Sequence, residues 1–456
     1  MLWINAKRGQ PPRVPTDDVI PALFFDDSPM SRGKLEIHVP IEYNSNRPAV
    51  RFHQVCFETS IKDHPLASKL PKPTATPSIQ AGGDVFRGLK ARDYVPATLQ
   101  DYLCSDDPPL ELHVFTFSDA TVVTLNFPHF CTDAVGLSKL IENWCKILAG
   151  RPEEVDAFAP RDPLDSVSDK DGGEGQMEEH VLSQFKLAGW SMLFFALNFI
   201  SDLIFGPKME TGVIFLPKKS VAALKETTIA SIPSNTIGQG GGAAEKPFVS
   251  EGDVISAWAI RNISLSLGPR CKRTMAVLNV FELRSRLRQA FNSSTAYVQN
   301  AFFVLTTIFT VQEAQTMSLG EIALRLRSST KEQTSVPQVE ALVRDQRASI
   351  KKTDRPVVFA ERDSILLPFS NWGKARFFDV VDFSPAIVKE GSDARLKRNA
   401  PGKPVLFLSC DASPKPNPTY RNVVNIIGKD PSGNYWITGF LSKAAWKEVE
   451  KGFKNL

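Results

Sequence analysis

The sequence predicts a two-domain α/β protein, and three observations carry that prediction. The chain has 456 residues, more than a single core ordinarily serves. Alternating runs of strand type recur between runs of helical spacing along most of its length. An acidic, Gly- and Pro-rich stretch at about 151–180 separates two patterned halves and reads as a solvated crossover linker. The expected division is 1–205 and 206–456.

Residues 1–30 are weakly patterned. Lys34–Pro40 and Ala49–Phe57 alternate and read as a pair of strands. Residues 62–85, with Pro65, Pro71, Pro73, Pro77, Gly82 and Gly83, read as loop. Leu110–Phe117 and Thr121–Phe127 are two strands joined through Ser118-Asp119-Ala120 as a tight hairpin. Leu137, Leu140, Ile141, Trp144 and Leu148 then follow helical spacing, with Thr132 or Asp133 as cap and Gly150 as stop. An apolar helix at 187–205 follows the linker. The second half opens with a strand at Val213–Leu216, a helix at Lys218–Thr228 and a Gly-rich loop at 233–247. That loop lacks the Gly-Lys-Ser/Thr of a phosphate-binding turn. A helix at Val254–Leu265 and a strand at Arg273–Val280 come next. Glu313–Ala348 is expected as two amphipathic helices split near Pro337. Ile365–Phe369, Arg376–Asp382, Val405–Ser409 and Tyr435–Phe440 are read as strands, before a closing helix through Lys451.

Composition excludes several classes. Hydrophobic residues make up 42%, enough for real cores. The net charge of +4 comes from scattered Lys and Arg, not the basic stripe of a nucleic-acid binder, though it suits a small anionic ligand. Six cysteines show neither a CxxC pair nor framework spacing, and are expected as reduced thiols. No apolar signal segment is expected near Met1, and the reading is a cytoplasmic monomer. The segment 187–205 approaches the length of a membrane span. Yet Ser191, Asn198 and Asp202 fall near one helical stripe, and Asp202 is costly in lipid. The pattern favours a helix docked on the protein over membrane contact.

The candidate site is Leu125–Gly136, where a strand hands over to a helix with His129 and Asp133 four residues apart. Such junctions hold reactive groups on a rigid frame. A nucleophilic triad is disfavoured, since no Gly-x-Ser-x-Gly elbow exists. Cys131 has apolar neighbours, unlike an activated thiol. One His and one Asp without HExxH do not make a metal site, so none is expected. On spacing alone, a structural histidine at a strand end is the stronger reading.

The wider pattern changes that balance. His129-Phe130-Cys131-Thr132-Asp133-Ala134-Val135-Gly136 resembles the HxxxD(G) motif of the BAHD acyltransferases, with small residues inserted before the glycine. Three further stretches match in order. Asn279 to Leu287, with Arg284 and Arg286, is similar to the family's N-x-R-x-R-L strand end. Tyr297-Val298-Gln299-Asn300 resembles its Y-F-G-N. Ser370-Asn371-Trp372, followed by Asp382-Phe383, is similar to its S-W strand and DFGWG turn. The resemblance runs from about Lys34 to the C-terminus and is closest to fungal members acting on secondary metabolites. There are two departures. Ser384-Pro385-Ala386 stands where the family has Gly-Trp-Gly. Before Arg32-Gly33-Lys34-Leu35 the family's opening helix is not visible, so the start is either divergent or truncated.

The resemblance implies a chloramphenicol acetyltransferase-like architecture of mixed sheets with flanking helices and a channel between the two domains. It implies acyl transfer, acetyl foremost, from acyl-CoA as co-substrate to a hydroxyl or amine of a small metabolite, with no bound cofactor. His129 would be the general base. Asp133 would pair with Arg284, or next with Arg286, to shape the loop, with Gly136 structural. Asn300, Ser370, Asn371, Trp372, Asp382 and Phe383 would lie on the channel or acyl-CoA side, and Lys374 and Arg376 could meet CoA phosphates. Two other readings stay open. One is a carrier-protein-dependent, condensation-like enzyme, although Pro128 replaces the second His of those domains. The other is a catalytically silent metabolite-binding protein, motivated by the altered Ser384-Pro385-Ala386 turn.

Overall fold

The structure, a computed structural model, describes residues 14–21, 36–89, 94–158, 178–233, 248–288, 290–291, 295–353, 355–389, 399–411 and 417–456. Its strands are β1 (Asp18–Pro21), β2 (Glu36–Val39), β3 (Arg51–Cys56), β4 (Ser78–Ala81), β5 (Glu111–Thr116), β6 (Thr121–Asn126), β7 (Ala157–Phe158), β8 (Met209–Leu216), β9 (Thr274–Glu282), β10 (Thr295–Ala296), β11 (Phe302–Thr310), β12 (Ile365–Asn371), β13 (Val423–Lys429) and β14 (Tyr435–Ser442). Its helices are α1 (Leu99–Leu103), α2 (Ala134–Leu148), α3 (Gly189–Phe205), α4 (Lys218–Ala230), α5 (Glu251–Ser266), α6 (Val311–Thr316), α7 (Leu319–Gln333), α8 (Val336–Thr353), α9 (Phe377–Val380) and α10 (Lys443–Gly452).

Two mixed sheets organise these elements. The larger has seven strands in the order β11-β9-β12-β13-β14-β8-β4, with β12 parallel to both neighbours and the other pairs antiparallel. One face is covered by α5, whose Val254, Ile255, Trp258, Ile260 and Ile263 are all buried. Such a helix is apolar on most sides because neighbours surround it. The smaller sheet is β3-β5-β6, parallel then antiparallel. Helix α2, from the first half, packs Leu137, Ile141 and Cys145 against Ala375, Phe377 and Val381 of the second. That core fixes the turn before α2 relative to the end of β12.

Several expectations need correction. Lys34–Pro40 and Ala49–Phe57 do supply strands, but they do not pair with each other. β2 pairs with β1, and β3 lies parallel to β5. Alternation makes a strand, whereas its partner is chosen by burial. Val55 and Phe57 share a core with Phe115 and Phe117. Residues 62–85 are not all loop, because β4 adds to the edge of the large sheet beside β8. Arg376–Asp382 is no strand. Arg376 has left-handed backbone, φ 50°, and α9 follows it. Phe377 and Val381, four apart, bury in the core shared with α2, a spacing that helix geometry satisfies, while Phe378 buries against Phe215 and Trp436. Val405–Ser409 forms no strand; Leu406, Phe407 and Leu408 pack into the neighbouring cores through side chains. Glu313–Ala348 spans three helices, α6, α7 and α8, and the break between α7 and α8 precedes Pro337. That proline sits in the first turn of α8, where a missing N–H costs little. Strands β11 and β13 went unread, since short apolar runs do not distinguish strand from helix. Most of the 151–180 and 233–247 expectations fall outside the described residues.

The expected hairpin is β5–β6, in register from Glu111↔Asn126 to Thr116↔Thr121. Helix α2 stops before Gly150, whose φ of 71° favours glycine. None of the six cysteines forms a disulfide. No helix among the described residues is long and apolar enough to cross a membrane. The apolar helix α3 docks on the protein through its polar flank. Asp202 receives two hydrogen bonds from Arg273 at 2.7 and 2.9 Å, and Asn198 donates to the Arg362 carbonyl at 3.0 Å. Phe195 buries beside them. The opposite face leaves Trp190, Leu193, Phe194, Leu197, Ile200, Ile204 and Phe205 exposed.

Candidate active site

Strand β6 ends at Asn126, and the seven residues before Ala134 make the turn into α2. The alternation of β6 stops at Phe127-Pro128, because proline supplies no ladder donor. His129 stands at the tip and is exposed. It lines an open channel of about 2860 Å³, whose walls come from the β3-β5-β6 sheet on one side and from 368–374 on the other. The backbone of the turn is held from behind. Asn300, buried, donates from Nδ2 to the carbonyls of His129 and Phe130 at 2.9 and 3.0 Å. The imidazole itself has no hydrogen bond among the described residues and is left to face the channel.

Asp133 faces the other way. Its Oδ1 accepts the Val135 and Gly136 N–H groups at 3.0 and 2.8 Å and caps α2. Its Oδ2 accepts Arg284 Nη1 at 3.0 Å and the Ala301 N–H at 2.8 Å. Four donors on one carboxylate satisfy its lone pairs and leave it as an acceptor only. Arg284 also donates from Nε to the Tyr297 carbonyl at 3.1 Å and from Nη2 to the Gln299 carbonyl. It thereby ties the 297–301 segment to the turn. Arg286 instead stands over the Phe281 ring at 5.4 Å. Gly136 is required by close approach: a Cβ there would sit 2.0 Å from the Val298 carbonyl oxygen. The same carbonyl accepts the Thr132 hydroxyl at 2.6 Å.

The second-half residues divide. Ser370, Asn371, Trp372 and Phe383 line the channel with His129, whereas Asp382 lines a separate small cavity. Trp372 Nε1 donates to Ser370 Oγ at 2.8 Å, so the Ser370 hydroxyl keeps its own proton to donate. Asn371 Oδ1 accepts the Gly373 N–H at 2.9 Å and shapes the turn. Phe383 packs on Trp144 of α2 at 4.9 Å. Asp382 accepts the Ser384 N–H at 3.0 Å and lies 3.2 Å from Lys403 Nζ; these bonds, that of Ser384 foremost, hold its carboxyl below the usual range. Lys374 bonds Ser285 at 2.8 Å and Arg376 pairs with Asp379 at 2.9 Å, so both cations already have partners.

Sequence reasoning missed Tyr102 and the Ala301 amide, and offered Thr132 only as an alternative cap, whereas Asp133 caps α2 and the Thr132 hydroxyl goes to Val298. Tyr102 receives Asn126 Nδ2 at 3.1 Å just ahead of the turn and lines the channel. Burial, with Glu111 and Cys131 nearby, pushes its phenol up, so it stays protonated. A backbone amide leaves no residue signal at all. A phenol 24 positions before Asn126 offers none until the strands pair.

Comparisons with known proteins give the fold and the family. No family profile matches the chain. The fold is that of TRI101, an acyltransferase fold of two domains. The F. sporotrichioides protein, solved with coenzyme A and T-2, superposes with a TM-score of 0.60 over 95% of this chain and 84% of that one, at 15% identity. Sequence relatives narrow the class to a family. The O-acetyltransferase PaAT-2 of Phomopsis amygdali is 35% identical over 428 residues, 93% of this chain and 86% of the relative. The acetyltransferase adrJ of Penicillium roqueforti is 34% identical over 428 residues, 93% and 84%. The chain belongs to this family of fungal acetyltransferases.

Proposed function

We propose that the chain is a BAHD-type enzyme that moves an acyl group, acetyl foremost, from acyl-CoA to a hydroxyl or amine of a small secondary metabolite, with His129 as general base. The observation that carries this reading is the division of labour at the turn. His129 faces the channel with its backbone held by Asn300, while Asp133 spends its carboxylate on Arg284, the Ala301 amide and the helix cap. The names of the relatives and the coenzyme A seen with TRI101 support the donor class.

In this reading the acceptor O–H or N–H gives its proton to the imidazole as the heteroatom attacks the thioester carbonyl. The C–S bond then breaks, and the departing thiolate takes the proton back from the imidazolium. No acyl-enzyme forms. The Ser370 hydroxyl, oriented by the Trp372 indole, is the donor we assign to the tetrahedral oxyanion. The channel lies between an N-terminal domain, 1–205, and a C-terminal domain, 206–456, although β4 of the first extends the large sheet of the second. Asp382 and Phe383 sit at the far end of α2 and shape the frame, not the reaction.

The test is His129→Ala, followed by thiol release from acetyl-CoA in the presence of a panel of acceptors. Loss of a general base lowers kcat by about 10²–10⁴-fold with little change in unfolding temperature. Unchanged turnover would sink the assignment. Binding of a metabolite with no thiol release by the wild type would point to the silent reading, and turnover with an acylated carrier protein alone to the condensation-like one.

A further inference from the structure

Helix α3 is turned with its chemistry the reverse of what a solvent-facing helix needs. A surface helix ordinarily buries its apolar stripe and shows polar residues to water. Here the polar side chains are committed inward: Asp202 to Arg273 and Asn198 to the Arg362 carbonyl, with Ser191 bonded to Ala188 at the helix start. Outward, an apolar stripe at helical spacing runs from Trp190 through Leu193, Leu197 and Ile204 to Phe205, interrupted by Ser201 alone. The two ends carry the largest exposed rings, with Trp190 75% and Phe205 83% accessible. A continuous apolar patch of this size on a soluble protein marks an interaction site.

The charges choose the partner. Asp202 is the sole charged residue of α3 and is already paired on the inner side. Exposed lysines lie just beyond each end, Lys186 before the helix and Lys208 after it. Lys186 lies 3.6 Å from Asp345, while Lys208 has no ion pair among the described residues. An apolar face bracketed by cations, with a Trp near one end, fits the boundary between acyl chains and anionic headgroups. It does not fit a second copy of the chain. Two-fold packing of α3 on itself sets Lys186 against Lys186 or against Lys208, like charge on like in either orientation. Nor does the helix span, since Asp202 anchors it lengthwise to the protein surface.

We propose that α3 docks this protein peripherally on an anionic membrane surface, lying in the plane of the interface. The proposal is independent of the chemistry assigned to His129. It is tested by flotation of the full chain with vesicles of phosphatidylcholine alone and of phosphatidylcholine with phosphatidylserine, alongside sedimentation velocity without lipid. The expected result is co-flotation with the anionic vesicles, weakened by about tenfold or more in Trp190→Ser/Phe205→Ser and weakened less by Lys208→Glu. Acyl transfer in solution and the unfolding temperature of these variants stay at wild-type values. Wild-type protein that stays in the aqueous fraction with both vesicles overturns the proposal, as does binding that the double variant leaves intact. A wild-type dimer that the double variant converts to monomer, without vesicle binding, assigns the face to a second copy and overturns it too.

Discussion

Replacing Asp133 with Asn probes the turn with the smallest change of shape. The carboxylate accepts Val135 and Gly136 on one oxygen, and Arg284 and Ala301 on the other. An amide keeps one oxygen, enough for the helix cap, and Asn caps as well as Asp. The other position becomes an NH₂ facing the Arg284 guanidinium and the Ala301 N–H, three donors with no acceptor. The two side chains are only 11% and 14% exposed, so the Arg284 charge is left poorly hydrated. Removing one partner of such a pair costs about 3–5 kcal/mol. For a domain of half this chain's length, each kcal/mol is worth about 2–4 °C, which puts the midpoint of thermal unfolding lower by roughly 6–20 °C. The assay pairs that midpoint with kcat at a temperature where both proteins are folded. We expect kcat to fall through loop order, by less than His129→Ala lowers it. Adding Arg284→Met should recover part of the lost stability, because the clash of donors is gone. A midpoint within about 1 °C of wild type refutes the bracing role. So does a loss of kcat as deep as that of His129→Ala with stability intact, which would place Asp133 in the chemistry.

Gly136→Ala ordinarily gains about 1 kcal/mol within a helix, but here the Cβ meets a backbone oxygen at 2.0 Å. The sign reverses to a net loss of about 1–3 kcal/mol, read as a lower urea midpoint; a stabilised variant would contradict the close approach. Asn300→Leu leaves the His129 and Phe130 carbonyls without their donor. That costs about 1–3 kcal/mol and lowers kcat with KM little changed, so an unaltered kcat would show that the turn keeps its shape alone. The Asp382 carboxyl, held below its usual range by Ser384 and Lys403, adds stability that is present above the ordinary carboxylate pKa of about 4 and lost as pH falls through its lowered value. Because this carboxylate is well exposed, screening limits the Asp382→Asn loss at neutral pH to about 0.5 kcal/mol. The gap between the two proteins in urea should close below about pH 4, and a gap that persists to about pH 2 would place its origin elsewhere.

How much was legible depends on the range of the interaction. The hairpin β5–β6, the helix α2 and the cap at Asp133 follow from alternation, helical spacing and side-chain oxygens within a few residues of one another. The contacts of the turn do not. Arg284 lies 151 positions from Asp133, and nothing local separates it from Arg286, which stacks on Phe281 instead. The resemblance nominated Arg284; only the folded chain brings its guanidinium to the carboxylate. Strand pairing failed for the same reason, since alternation makes β2 and β3 strands without naming the strand that buries them. The 376–382 segment failed because an alternating apolar run satisfies either geometry until Phe407 and α2 choose.

By itself, then, the sequence determined the local frame: where strands and helices form, that His129 and Asp133 share a turn, and that 187–205 is a helix with a polar flank. Tertiary structure decided direction. It turned His129 toward the channel and Asp133 away from it, drew Asn300 and the Ala301 amide behind the turn, and faced the polar flank of α3 inward with its apolar stripe to the outside. Periodicity sets which residues share a face, but which way that face points is set by the partners it meets, and those come from distant parts of the chain.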